Sequence, residues 1–176
     1  MQNAKDTFYI TLRSRLAALN PLRTMTLRSV ARPSILVEEA EAPMAQPVLD
    51  AFALIWTGLQ ADHQLPAILA QMTCEIRYST AGTQNNAGLD RGRALEEMDY
   101  EVLNLLYPYS AQKMNYTQNP AAAMETMIFW SEPEFGAVVT LRDRLSRTAK
   151  VTVFAFQEPG YSSGQGSLGP QEQIES

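Results

Sequence analysis

The sequence contains a single cysteine, Cys74, and a single histidine, His63. One cysteine cannot form an internal disulfide or, alone, a cysteine-based zinc site, and one histidine excludes motifs that bind a metal through two histidines. No segment approaches the roughly 18 apolar residues of a transmembrane helix, and the first residues lack the apolar core of a signal peptide. We therefore expect a protein of a reducing compartment, neither membrane-embedded nor secreted by a signal peptide.

Charge is unevenly distributed along the chain, whose formal net charge is −5. Residues 1–33 carry six basic groups and one acid, residues 34–139 carry fourteen acids against four basic groups, and residues 140–157 carry four basic groups and one acid. This polarity suits head-to-tail contacts between protein copies, although ordinary differences between helix and loop surfaces produce it too. No basic patch is interleaved with aromatic residues, so specific nucleic-acid readout is not expected.

Two segments have the periodicity of amphipathic helices. In residues 7–19, apolar positions recur at spacings of four, four and three, with Asp6 as the predicted N-cap and Pro21 beyond the end. A second helix is predicted from about Leu89 to Tyr107, capped by Asp90 and ended by Pro108. Phe8, Leu12, Leu16 and Leu19 form the first stripe, and Leu95, Met98, Val102, Leu105 and Leu106 the second. Arg91, Arg93, Glu96, Glu97 and Glu101 are expected to stay solvated.

Strands are predicted between and after these helices. Residues 70–79 alternate most clearly, which is typical of a half-buried antiparallel strand, and residues 52–57 could form a hairpin with them across residues 58–69, where HQLPAIL could add a helical turn. Other strands are expected at residues 24–28, after Pro33, and at 126–131, 137–141 and 147–157. Residues 81–88 are predicted to be a loop, and residues 108–125 an irregular connection with a short helix at AAAME.

The predicted fold is a two-layer α+β domain, with two amphipathic helices packed on one face of a mainly antiparallel sheet. We expect one domain over residues 1–157. Residues 158–176 are rich in Gly, Ser and Gln and lack an apolar period, so they are predicted to be a disordered tail.

Every candidate for catalysis or metal binding has a simpler structural interpretation. Asp62 and His63 lie in a predicted surface loop, and Cys74 lies on the apolar side of its strand, where a reactive thiol is not expected. The carboxylates Glu96, Glu97, Asp99 and Glu101 could hold a divalent ion or serve acid–base chemistry, but a charged helix surface or interface is favoured. Trp56 and Trp130 are expected in the core. We therefore predict no enzyme activity, metal or cofactor.

Six segments, in order and spacing, resemble the lambda-type tail terminator proteins of long-tailed phages. They are FYITLRSRLAAL, RPSILVEEAEAP, AFALIWTG, AQMTCEIRYST, LDRGRALEEMDYEVLNLLYP and RTAKVTVFAF, and together they cover most of residues 7–157. The chain is longer than that pattern in residues 58–69, in residues 108–125 and in the tail, which puts the loop contacts in doubt more than the core.

The resemblance implies a non-enzymatic assembly protein. Its expected partners are copies of itself, in a ring that is hexameric in that family, the tail tube protein whose polymerisation the ring ends, and the head–tail connector. The expected location is the host cytoplasm during assembly and then the virion tail. The candidate interface residues are Arg142, Arg144, Arg147, Glu132 and Glu134. Two alternatives stay open, another phage neck or contractile-injection-machine module and a small-molecule-binding α+β domain.

Overall fold

The computed structural model describes residues 1–38, 48–64 and 67–158 of the chain. In this part there are two α-helices and ten strands, with a 3₁₀ turn at Gln84–Asn86. The helices are α1 (Gln2–Leu19) and α2 (Arg91–Leu106). The strands are β1 (Thr24–Leu27), β2 (Val30–Pro33), β3 (Ile35–Val37), β4 (Phe52–Asp62), β5 (Leu69–Thr80), β6 (Ser110–Asn115), β7 (Ala122–Trp130), β8 (Glu134–Phe135), β9 (Val139–Leu141) and β10 (Arg144–Phe156).

The main sheet has the strand order β3-β4-β5-β10-β7-β6. Strand β10 lies at its centre and pairs with β5 over its whole length, while β7, β8 and β9 share the other side of β10. Only β3 and β4 are parallel, and β1 and β2 form a separate two-stranded sheet. The predicted α+β class and the mainly antiparallel sheet are therefore confirmed.

One face of the sheet carries the core. Along β5 the buried side chains Met72, Cys74, Ile76 and Tyr78 alternate with more exposed ones, as the sequence period predicts. The strand partner of Cys74 is Val151 of β10, which is also buried. Because both helices bury side chains in this same cluster, they cover one face of the sheet, and the predicted two-layer arrangement is confirmed.

Helix α1 begins at Gln2, five residues earlier than predicted. Phe8, Leu12 and Leu16 are fully buried, but Leu19 is exposed, because the helix ends there and the chain turns away. Asp6 is inside the helix, where its carboxylate accepts a hydrogen bond from Gln2, and it is not the N-cap. Phe8 packs edge-to-face on Trp130, whose indole donates to the Leu106 carbonyl, so the core role predicted for Trp130 is confirmed.

Helix α2 buries the five predicted apolar residues. The prediction for Glu101 was wrong: its side chain is buried, because Asn20 donates to it and Arg23 forms an ion pair with it. Asp90 stands at the N-cap position but makes no capping hydrogen bond; its carboxylate accepts from Thr83 instead. Glu101 thus links α2 to the segment after α1, and Asp90 links the start of α2 to the loop before it.

The prediction of an irregular connection over residues 108–125 was wrong. It contains β6 and the beginning of β7, and the AAAME segment is extended because it pairs with β6. Tertiary pairing here outweighs the helix propensity of alanine. Strand β6 lies at the sheet edge, and α1 covers it: the Met114 amide donates to the Thr7 hydroxyl, and Arg15 donates to the Ser110 carbonyl. Such cover protects an edge strand from pairing with other chains.

The predicted hairpin of β4 and β5 is confirmed, with a shorter loop, since the strands extend to Asp62 and from Leu69. The register shifts next to Gly58, where a Cβ atom would lie 3.1 Å from the Thr73 hydroxyl oxygen. Two of the residues predicted as a helical turn, 65 and 66, lie outside the described residues. So do residues 39–47 of the acidic, proline-containing segment and residues 159–176 of the tail.

Candidate assembly surface

The candidates for nucleophilic chemistry are far apart. Cys74 is buried and pairs in register with Trp56 of β4, whereas His63 is exposed just after Asp62, the last residue of that strand. Six residues of strand separate Trp56 from Asp62, a distance of about 20 Å at roughly 3.3 Å per residue. The fold therefore does not bring the histidine to the thiol.

The acidic cluster of α2 divides into two pairs. Glu96 and Glu97 are exposed, whereas Asp99 and Glu101 point inward to different arginines, Arg147 and Arg23. Within the described residues, no group of three or more His, Cys, Asp or Glu side chains is arranged to hold a metal ion. None of the described helices is both long and apolar enough to cross a membrane.

Asp99 joins α2 to the two central strands. Its carboxylate accepts one hydrogen bond from the Tyr78 hydroxyl of β5 and another from Arg147 of β10, each at 2.5 Å. Burial, and secondly the hydrogen bond to Asp99, strongly raises the pKa of Tyr78. Arg147, a predicted interface residue, is thus engaged inside the subunit, and its contacts explain part of the packing between helix and sheet.

The other two predicted arginines lie at the turn from β9 to β10, where Arg142 is exposed and the Arg144 side chain is 24% exposed. Arg142 and Arg144 flank the connection from β9 to β10, and Arg142 has φ 41° in that tight turn. Arg144 pairs with Asp143 at 3.3 Å. The pKa of Asp143 is lowered, first by a backbone hydrogen bond to its carboxylate and next by the hydrogen bond from Arg144. Val138, Val139 and Leu141 are exposed beside these arginines. We call these five residues, Val138, Val139, Leu141, Arg142 and Arg144, the basic hairpin.

Glu132 and Glu134 are exposed but do not join the arginines. Glu134 pairs in register with Lys150 of β10, six residues along that strand from Arg144. Glu132 lies in the connection that precedes β8. Of the five predicted interface residues only Arg142 and Arg144 therefore come together, since Arg147 pairs with Asp99 and the two glutamates lie farther along β10.

A groove of about 630 Å³ lies beside the basic hairpin, on the sheet face without helices. One wall is apolar, with Leu36 and Ala53, and the other is formed by the hairpin. Ser79 lines it with 5% exposure, and its hydroxyl oxygen has no hydrogen-bond partner among the described residues. The groove offers this hydroxyl and several guanidinium groups, and the carboxylates of Glu38 and Asp143 line it as well.

Helix α2 has a second, exposed stripe that the sequence analysis missed. Tyr100 and Tyr107 are 65% and 68% exposed, and Leu103 is 44% exposed. Tyr100 and Leu103, three residues apart, lie on one side of the helix, and Tyr107 follows the last helical residue in an extended conformation. That spacing was readable in the sequence, but the more apolar stripe of Leu95, Met98 and Val102 dominated the pattern. We call Glu96, Glu97, Tyr100, Leu103 and Tyr107 the helix patch.

Much of the basic charge of residues 1–33 is used within the subunit. Arg15 donates to the carbonyls of Leu105 and Ser110, and its guanidinium lies 5.3 Å from the centre of the Trp130 ring. Arg23 pairs with Glu101 in a largely buried contact. These residues tie the first helix and the chain after it to α2.

Comparison with known proteins does not assign the chain to a family. No protein-family model matches the chain, and no curated protein matches it.

Proposed function

We propose that the chain is a non-enzymatic phage tail assembly protein, a tail terminator whose copies form a ring on the end of the tail tube and stop its polymerisation. The observation that carries the proposal is the order of the six segments that resemble lambda-type terminators. In the fold they coincide with α1, β3, β4, β5, α2 and β10, in that order. All six elements contribute side chains to the same core cluster.

Exposed apolar side chains on two different elements support an assembly role. Tyr100 and Leu103 project from α2, Tyr107 is exposed just after it, and Val139 and Leu141 project from the basic hairpin. Exposed aromatic and apolar side chains beside charged groups are typical of protein interfaces. The proposed partners are further copies of the chain, the tube protein and the head–tail connector.

The test is tube length. A tail tube protein would be polymerised with and without this chain, and tube lengths would be measured by electron microscopy. We expect short tubes that end in a ring of this protein, and light scattering after size exclusion would give the mass of any ring formed without tubes. Tubes as long with the protein as without it would refute the terminator function.

A second candidate, a small-molecule-binding domain, is favoured by the groove. The Ser79 hydroxyl and the nearby arginines are suited to an anionic group. A ligand that binds only the folded state raises thermal stability in proportion to the logarithm of its concentration. Screening phosphate and small carboxylic acids for a rise in melting temperature, with Ser79→Ala as the matched variant, would test this candidate. No rise with any of them would exclude these classes of ligand.

A further inference from the structure

The helix patch presents apolar anchors next to negative charge. Tyr100 and Leu103 lie on the outer side of α2, with exposed Tyr107 just beyond its end, and the exposed carboxylates Glu96 and Glu97 precede Tyr100 by about one turn. Arg93 is the one basic residue on this side of the helix, so the side has a net negative charge. Tyrosines with a leucine between them can bury a large area at a low cost in side-chain entropy.

The basic hairpin has the complementary composition. Val139 and Leu141 are 50% and 52% exposed, and Arg142 and Arg144 follow them with Asp143 as the single acid. The strand partners of Leu141 and Val139 are Arg144 and Ser146, and cross-strand partners project from the same face. Since Leu145, the residue between those partners, packs against the core, Val139 and Leu141 lie on the face without helices.

The apolar side chains of the two surfaces are therefore on different layers of the chain, although Arg91, the first residue of α2, donates to the Arg142 carbonyl and so brings the hairpin turn to that end of the helix. A surface that meets its complement on the far side of another copy makes a head-to-tail contact, which can be repeated around a ring. A two-fold contact would bring the helix patch of each copy onto the basic hairpin of the other at the same time, which requires both surfaces to face one side of the molecule. Placed together, two like-charged patches would repel, whereas the helix patch and the basic hairpin carry opposite charges.

We propose that the helix patch of one copy docks on the basic hairpin of the next, with Glu96 and Glu97 facing Arg142 and Arg144. Tyr100 and Leu103 then pack on Val139 and Leu141. The inference rests on the proposed function, because it names the contact by which the copies of a ring would meet. It also assigns different roles to the three predicted arginines, since Arg147 holds Asp99 within its own subunit.

The experiment exchanges charges across the contact. Sedimentation velocity over a range of protein concentrations would compare wild type, Arg142→Glu, Glu97→Arg and the variant with both changes. Each single reversal should weaken self-association at least tenfold, because it places like charges together. The double variant, and an equimolar mixture of the two single variants, should recover most of the association. The matched control is Arg13→Glu, the same reversal at an exposed position of α1, which should associate like wild type.

Three results would overturn the contact. In the first, the wild type stays monomeric at every concentration. In the second, the single reversals associate as strongly as the Arg13→Glu control, and in the third they weaken association but neither the double variant nor the mixture recovers it. The tube-length assay separates this contact from the proposed function. If variants that do not self-associate still give short, capped tubes, the contact is wrong and the terminator function stands. If the wild type self-associates but does not shorten tubes, the contact stands and the terminator function is wrong.

Discussion

Replacing Asp99 by asparagine tests whether one carboxylate fastens α2 to the sheet. The carboxylate is mostly buried, with 16% exposure, and it accepts hydrogen bonds from Tyr78 and Arg147. Asparagine has nearly the same shape but no charge. Its oxygen can accept from either Tyr78 or Arg147, but its NH₂ group, a donor, then faces the other of these two donors. The variant therefore removes an ion pair and one acceptor without creating a large cavity.

The expected cost is about 2–3 kcal/mol of unfolding free energy. Removing one partner of a fully buried ion pair costs about 3–5 kcal/mol, and the Arg147 side chain is 23% exposed, so water offsets part of that loss. In a domain of about 150–250 residues each kcal/mol lowers the melting temperature by roughly 2–4 °C. We expect Asp99→Asn to melt about 4–12 °C below wild type, and its urea midpoint to fall by about 1 M for a slope near 2–3 kcal/mol per M.

Circular dichroism during thermal and urea unfolding measures both quantities. The control is Glu97→Gln, a matched change two residues earlier at an exposed position, which should stay within about 0.5 kcal/mol of wild type. A double-mutant cycle with Arg147→Met should give a coupling of at least about 1 kcal/mol. Equal midpoints for Asp99→Asn and Glu97→Gln, or a coupling near zero, would refute this account of the helix–sheet contact.

Three further predictions concern titration and packing. The raised pKa of Tyr78 means that its contribution to stability is complete below the ordinary value of 10.0 and is lost as pH rises above it; urea midpoints between pH 8 and 11 should fall less for Tyr78→Phe than for wild type. Burial raises the pKa of Glu158, but hydrogen bonds from Thr126 and Lys113 outweigh it and the net pKa is lowered. Stability should thus fall as pH drops below about 4.5, the ordinary value, and Glu158→Gln should show a smaller fall in melting temperature over that range. Phe8→Ala should cost about 3–5 kcal/mol in urea unfolding, because Phe8 is fully buried between two tryptophan rings.

The parts of the fold that could be predicted are those in which one short-range period decides the structure. Alternation in residues 70–79 identified β5 because one side of that strand faces the core and the other does not. The helical stripes identified α1 and α2 for the same reason. Strand β6 was missed because an edge strand covered by α1 needs no apolar alternation, and its partner β7 begins with alanines that favour a helix in isolation.

Side-chain partners across the fold were less accessible from the sequence. Glu101 resembles its neighbours Glu96 and Glu97 in type and spacing, yet it is buried because Arg23 and Asn20, about 80 residues earlier, reach it. Arg147 likewise resembles Arg142 and Arg144. Only the strand register shows that it projects toward Asp99, on the face opposite to Arg144. Which side chains pair across so many residues is decided by the topology of the fold, and a short-range sequence period carries no information about topology.

This distribution of partners changes what the uneven charge of the chain means. Counted along the sequence, residues 1–33 form the most basic segment. In the fold, Arg23 pairs with Glu101 and Arg15 is held by backbone carbonyls of the same chain, so that segment presents less free positive charge than its composition suggests. The basic hairpin has fewer charges, but Arg142 lies on an exposed turn beside exposed apolar side chains, and Arg144 next to it is 24% exposed. In the proposed contact between copies, electrostatic attraction should therefore depend on Arg142 more than on the first 33 residues, and salt should weaken it because exposed charges are screened.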